Sequence, residues 1–294
     1  MNILEFRHLR SILLAAISMW IPTSAIAGSI AVNFVGGSIP GGGGNNGGGA
    51  VTAMQSSEIA GVIPQAFWNN AGIGGQADPI ENSSGSLTAG ALRDNVGAAF
   101  PGLSVTWSAF NTFSTFVLDT PGNGRMMKGY LDSSNNNPFT SSDTLVTVAN
   151  LPSLFAAGGF DLYVYYDGLI NVGAANRVGQ YEVFNGPNTA GTLLGTIYGA
   201  DTTSFAGTFI RATGTTAANA TTGNYVEFTG LHASTFTLQG FGVAGDVPRA
   251  PINGIEMVAE VPEPASMILL VICGLALGGV AVGRRRVPQG RGLR

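Results

Sequence analysis

Asp161-Leu162-Tyr163-Val164-Tyr165-Tyr166 is the stretch on which the fold class turns. Leu162, Val164 and Tyr166 alternate with Tyr163 and Tyr165, the two-residue period of a strand that turns one face to a core. Segments of the same kind flank it. Ser29–Phe34, Leu103–Ser108, Arg125–Leu131 and Thr144–Ala149 precede it; Gln180–Phe184, Gly191–Tyr198, Tyr225–Thr229, Thr235–Gly240 and Gly254–Ala259 follow. They are rich in Val, Phe, Tyr and Thr, and Gly, Asn, Asp and Pro break them. No sustained helical period and no alternation of strands with helices appears between them. The pattern predicts an all-β fold, an antiparallel β-sandwich of about ten strands with a jelly-roll-like arrangement.

Both ends of the chain read differently. Residues 1–27 have the form of a secretory signal peptide: Arg7, His8 and Arg10, then the apolar Ser11–Trp20, then Ala25-Ile26-Ala27 before a cleavage point. A mature start at Gly28 is expected, with an uncleaved N-terminal anchor as the alternative. At the other end, Val261-Pro262-Glu263-Pro264 leads into Ala265–Gly283, 19 residues without a charge, and then Arg284-Arg285-Arg286. A helix of that length extends roughly 28 Å, close to the ~30 Å hydrocarbon core of a bilayer. The three arginines favour the cytoplasmic side and leave the preceding domain outside. The alternative is a buried core helix, but such a helix ordinarily carries a polar face. Pro262 and Pro264 fix the backbone around Glu263 in an extended, stiff strip, or else form a helix-entry turn. Gly274 with Gly278, and Gly279 with Gly283, have a spacing that lets two membrane helices approach.

In this three-part order, with the match at Pro262, Glu263 and Pro264, the last 34 residues or so resemble the sorting region of PEP-CTERM proteins. The resemblance implies that a membrane-embedded exosortase recognises Pro262-Glu263-Pro264, removes the helix, and releases or re-attaches the protein at the cell envelope. It implies no catalysis by this chain. The tail Val287–Arg294 runs slightly longer than a minimal version of the motif. Four internal stretches also resemble a recurrent ectodomain type of secreted PEP-CTERM proteins. They are Ala31-Val32-Asn33-Phe34, the run from Ala60 to Asn70 (AGVIPQAFWNN), Val105-Thr106-Trp107-Ser108-Ala109 and Asn253-Gly254-Ile255. The expected organisation is therefore a signal peptide (1–27), a secreted domain (28–260), a sorting region (261–286, with its transmembrane helix at 265–283) and a cytoplasmic tail (287–294).

Residues 28–260 make 233, enough for one sizeable core. They carry 15 acidic against 6 basic residues, a balance that repels phosphate backbones and argues against nucleic acid. Cys273 is the only cysteine and lies in the apolar C-terminal run, so the domain has no disulfide and no cysteine metal site. Gly41–Gly49 holds seven glycines and two asparagines, but neither a lysine nor a helix follows, and it reads as a surface loop.

Candidate site residues are few. Trp68 beside Asn69 and Asn70 has the composition of a sugar-stacking platform, but the preferred reading is a core tryptophan with turn-forming asparagines. Asp132, Ser134, Asn136 and Asp143 faintly follow calcium-loop spacing. Asn137 stands where glycine belongs and Pro138 follows it, which favours a plain hairpin loop. His232 is the only histidine outside the signal peptide, and it reads as a loop residue. Asp161, Asp167 and Glu182 are the carboxylates from which a glycoside-cleaving pair would have to come, although Asp167-Gly168 reads more simply as a turn. The expectation is a non-enzymatic exported protein with no cofactor. It is anchored in the inner membrane through its C-terminal helix and then placed in the envelope or outside. The alternative is a carbohydrate-binding module acting on exopolysaccharide. The expected partners are an exosortase-type enzyme, the membrane and, on the alternative reading, an extracellular polysaccharide.

Overall fold

Period-two alternation settles most of the strands. The computed structural model describes residues 28–36, 51–72, 83–88, 90–133, 143–169, 177–245 and 248–260. These belong to one compact unit, Ala27–Glu260. The expected signal peptide, the glycine-rich Gly41–Gly49 and the whole of the expected sorting region, including Pro262, Glu263, Pro264 and Arg284 to Arg286, lie outside the described residues. Among the described residues no helix is long and apolar enough to cross a membrane.

Two sheets and a hairpin make up the architecture. The first sheet has the order β12 (Tyr225–Leu231), β8 (Phe160–Tyr165), β14 (Gly254–Ala259), β1 (Ser29–Phe34) and β2 (Asn69–Ala71). The second has the order β11 (Thr221–Thr222), β10 (Thr192–Asp201), β9 (Arg177–Asn185), β13 (Thr235–Gly245), β7 (Thr144–Ala149), β4 (Ser104–Ser108) and β3 (Ser84–Leu87). The hairpin joins β5 (Asn111–Ser114) to β6 (Gly129–Asp132). From β7 onward the chain passes repeatedly between the sheets, so the pairings are long-range: Ser29 lies opposite Val258. Ile30, Val32, Leu162, Val164, Ile255 and Met257 of the first sheet share one core with Val146, Val148, Val183, Phe236 and Leu238 of the second. Phe160 meets Phe236 across that core with ring centroids 5.6 Å apart.

The fold differs from the expected antiparallel arrangement in three respects. The sheets are mixed: β1 pairs β2 in parallel, and so does β10 with β11. Four short strands, β2, β3, β5 and β11, were invisible to the pattern because Asn-Asn-Ala, Ser-Gly-Ser-Leu, Asn-Thr-Phe-Ser and Thr-Thr carry no apolar alternation. And the expected strand Arg125–Leu131 begins instead as a helical turn, α1 (Asn123–Met126), with only Gly129–Asp132 extended. Arg125 is drawn there into ion pairs with Glu58 and Asp119, and Met126 is fully buried, which fixes the turn against the sheet.

That burial reflects a second apolar cluster on the outer face of the first sheet. Ala31, Tyr163 and Tyr165 meet Met54, Ala60 and Trp68 from 51–68, Val117, Met126 and Met127 from 115–128, and Phe205. Strand β8 is thus buried on both faces, and Tyr165 is as inaccessible as Val164.

Asn253 ties this layer together. Its Nδ2 donates to the carbonyls of Met127 (2.9 Å), Gly129 (3.0 Å) and Asp167 (3.1 Å), and its Oδ1 accepts from the Asp167 N–H (2.6 Å). Its backbone N–H reaches the Tyr165 carbonyl, and its own carbonyl receives the Phe34 N–H. One fully buried side chain thereby joins the β5–β6 hairpin, the end of β8 and the start of β14. Asn253→Ala strands several buried polar groups, each worth about 1–3 kcal/mol. Urea unfolding is expected to show a loss above about 3 kcal/mol, and Asn253→Asp, which cannot donate, does no better.

Candidate functional site

Trp68 is not on the surface. It is 3 % exposed, and its Nε1–H donates to the carbonyls of Ala60 and Gln65, both at 3.2 Å. Asn69 Nδ2 donates to the carbonyls of Ala31 and Arg93 (2.8 Å each), and Asn70 accepts from the Met54 N–H (2.9 Å) while donating to the Met54 carbonyl (2.8 Å). The three residues pin the 51–68 loop to β1, which is core packing with loop-forming amides. No sugar-stacking surface is left there. Beneath the loop, the Val62 N–H donates to Tyr165 Oη (2.7 Å), which donates to Glu256 Oε2 (2.5 Å). Gly61, at φ 102°, passes so close that a Cβ there would stand 2.8 Å from Glu256 Oε2. Burial pushes the Glu256 carboxyl up to about 8, against the opposing hydrogen bonds from Tyr165 and the Ile63 backbone.

A second set of buried acids closes one end of the strands. Asp167 Oδ2 accepts from the Phe205 N–H (2.9 Å), and Asp201 Oδ2 accepts from the Gly168 N–H (2.8 Å), so each carboxyl caps the other's loop. Arg177, opposite Asp201 in the β9–β10 ladder, supplies the positive charge near both. Burial raises Asp201 to about 7 and Asp167 well above its ordinary range, the nearby Asp201 charge adding to the latter. Asp132 is raised to about 6 by burial, opposed by Arg249, with which it pairs at 3.2 Å, and by Arg177.

These contacts answer the sequence candidates one by one. Asp132 is paired to Arg249, and Asp143 accepts from Gln239 Nε2 (2.5 Å). Ser134 and Asn136 lie outside the described residues. Among the described residues no group of three or more His, Cys, Asp or Glu is placed to hold a metal ion. Asp167 is fully buried, Asp161 on β8 accepts from the Gly230 N–H, and Glu182 is on β9 of the other sheet, so these three are not gathered around one cleft. The partner of Asp167 is Asp201, which carries no sequence motif. His232 is exposed, between β12 and β13. A cleft of about 510 Å³ opens between the covering loops, lined by Ile59, Leu118, Pro121 and Phe205 among others, with no ionisable side chain on its wall.

The outer face of the seven-stranded sheet has a different character. Gln180, Glu182 and Phe184 of β9 point away from the core that holds Tyr181 and Val183, and all three are half-buried. On β13 the outward positions include Thr237, Gln239 and Phe241; on β10 they include Thr196 and Tyr198. Register aligns them in rows across the strands. Tyr198, Gln180 and Phe241 form one row, and Thr196, Glu182, Gln239 and Leu145 the next. Phe184, Thr237, Thr147 and Thr106 form the third. Gln180 Nε2 donates to Glu182 Oε1 (2.7 Å), as does the Thr196 hydroxyl (3.2 Å), and the hydroxyls of Thr147 and Thr237 lie 3.0 Å apart. Neighbour to neighbour, the side chains hold each other in place.

Comparison with family models, with curated proteins and with solved structures finds no match to this chain.

The buried acids have a consequence for stability. Glu256, Asp201 and Asp132 hold a proton more tightly when folded, so unfolding releases protons once pH exceeds the ordinary carboxylate range. Stability is then fully present below that range and falls as pH rises toward the folded values of about 8, about 7 and about 6. Thermal melts are expected to show a higher Tm at pH 5 than at pH 8, with Glu256→Gln flattening the upper part of the slope.

Proposed function

We propose that this chain is an exported, non-catalytic envelope or extracellular protein, a jelly-roll-like β-sandwich delivered by a C-terminal sorting signal. The observation that carries the reading is the order within 261–294: a stiff Pro262-Glu263-Pro264 strip, 19 uncharged residues, and Arg284 to Arg286. An exosortase-type membrane enzyme is the partner this order suits, with the apolar run and the arginines holding the strip in register at the membrane face. The non-catalytic part is supported by how the described acids are used. Asp132, Asp167, Asp201 and Glu256 are buried and bound into loop-fixing contacts, and no two of them face solvent across a cleft.

A second reading is favoured by one feature. The outward rows of the seven-stranded sheet offer hydroxyls, amides and rings side by side, the chemistry of a carbohydrate-binding module acting on exopolysaccharide.

Intact mass of the mature protein from wild-type cells and from cells expressing Glu263→Ala tests the first reading. The wild-type protein is expected to lack the apolar helix and the Glu263→Ala protein to keep it. Retention of the helix in both would make the chain a single-span membrane protein without processing.

A further inference from the structure

Three features of the described domain invite a functional question: the apolar cleft between the covering loops, the buried acid pair Asp167–Asp201, and the outer face of the seven-stranded sheet. The cleft has no polar group arranged to orient a ligand beyond Thr120 and Asn123, and Asn123 Oδ1 already accepts from the Gly61 N–H. Each acid of the pair spends its Oδ2 capping a loop; Asp167 Oδ1 is buried without a hydrogen-bond partner, in the field of Arg177. The sheet face is the one whose chemistry specifies an occupant.

We infer that the rows Tyr198–Gln180–Phe241 and Thr196–Glu182–Gln239 form a binding surface for a neutral, extended polysaccharide chain lying across strands β10, β9 and β13. This rests on the carbohydrate reading above and assigns it to a site. Tyr198 and Phe241 flank Gln180 in the cross-strand register, so the rings are separated by two strand spacings, roughly 10 Å. Phe184 stands four residues from Gln180 on the same face of β9, roughly 14 Å away. Between these rings lie Glu182, Gln239 and Thr196; Glu182 Oε1 is taken by Gln180 and Thr196, and Gln239 Nε2 by Asp143, so Glu182 Oε2 and Gln239 Oε1 are the oxygens that accept from sugar hydroxyls. The face of a pyranose ring, with its C–H groups, stacks on an aromatic ring while its hydroxyls reach sideways to amides and a carboxylate, and this surface supplies both in adjacent rows.

Charge selects among polysaccharides. Among the described residues, the carboxylates on these rows and at their margin are Glu182 and Asp143. All six basic residues of 28–260 lie elsewhere: Arg93, Arg125, Lys128, Arg177, Arg211 and Arg249. Arg177 heads β9, but its side chain is buried near Asp201. A uronic-acid or sulfated chain would meet carboxylates with no compensating cation. A protein partner suits the surface less well, because protein hot spots are dry apolar anchors with a polar rim. Here a carboxylate and amides stand at the centre and the rings at the edge.

The test uses exported protein purified from its own cells, run in native gels containing galactomannan, hydroxyethylcellulose or polygalacturonate. Retardation by at least one of the neutral polymers and not by polygalacturonate is expected. Tyr198→Ala combined with Phe241→Ala should weaken retardation about tenfold or more, and Tyr198→Phe, which keeps the ring, should not. A wild-type measurement stands beside the variants: titration with a manno-oligosaccharide should shift the ring resonances of Tyr198, Phe241 and Phe184 and leave those of Tyr165 and Trp68 in place. Retardation that survives the double substitution, or shifts confined to other residues, would overturn the site while leaving carbohydrate binding intact. No retardation by any neutral polymer would end the carbohydrate reading itself, and selective retardation by polygalacturonate would overturn the charge argument. Self-association abolished by Tyr198→Ala, without polysaccharide binding, would reassign the face to a second copy of the chain.

Discussion

A β-sheet has two faces, and in this protein both faces of the five-stranded sheet must be kept dry. Strand β14 places Ile255 and Met257 toward one core and Glu256 toward the other side, where its Oε2 accepts a hydrogen bond from Tyr165. With water excluded, a carboxyl in that position needs a donor, since a buried polar group without a partner is costly. The loops 51–68 and 115–128 supply that cover, and Asn253 fastens it through four side-chain hydrogen bonds. The rest of the architecture follows from this layer. The hairpin is held down, the short parallel β2 is drawn onto β1, and the turn α1 is fixed by Arg125 between Glu58 and Asp119.

The two sheets therefore divide their duties. One is sealed on both sides and carries the buried acid Glu256. The other is buried on its inner face and presents rows of hydroxyls, amides and rings outward. With no cysteine in residues 28–260, the domain draws its rigidity from packing and from such buried polar ties. The cluster of Asp132, Asp167, Asp201 and Arg177 does for one end of the strands what Asn253 does for the covered face. Burial raises all three carboxyls above their ordinary range, so these groups favour the folded state more as pH falls.

Strand placement was legible wherever apolar residues alternate. The bounds of β1, β7 and β14 coincide with those read from the sequence, and β8 is shifted by one residue at each end: it begins at Phe160, which pairs Ala259, and stops before Tyr166, which stacks on Tyr181. The short stretches set apart in the sequence, Ala60 to Asn70 and Asn253-Gly254-Ile255, prove to be neighbours through Trp68, Gly61 and Glu256 on the covered face. What was not legible has a common cause in distance along the chain. A glutamate between Ile255 and Met257 reads as solvent-facing until a loop some 190 residues earlier is known to cover it. Asp167 and Asp201 meet only because β8 and β10 end at the same place. The outward residues of β9 and β13 were each visible as alternation, but their assembly into rows depends on β13 lying between β9 and β7.

The most direct test is hydroxyl-radical footprinting of the folded protein, read by mass spectrometry at single aromatic residues. Oxidation is expected at Tyr198, Phe184 and Phe241, which are partly exposed, and protection at Trp68, Tyr165 and Tyr166, which are buried. Strong oxidation of Trp68 and Tyr165, with Tyr198 and Phe241 protected, would mean that the covered and open faces have been assigned the wrong way round.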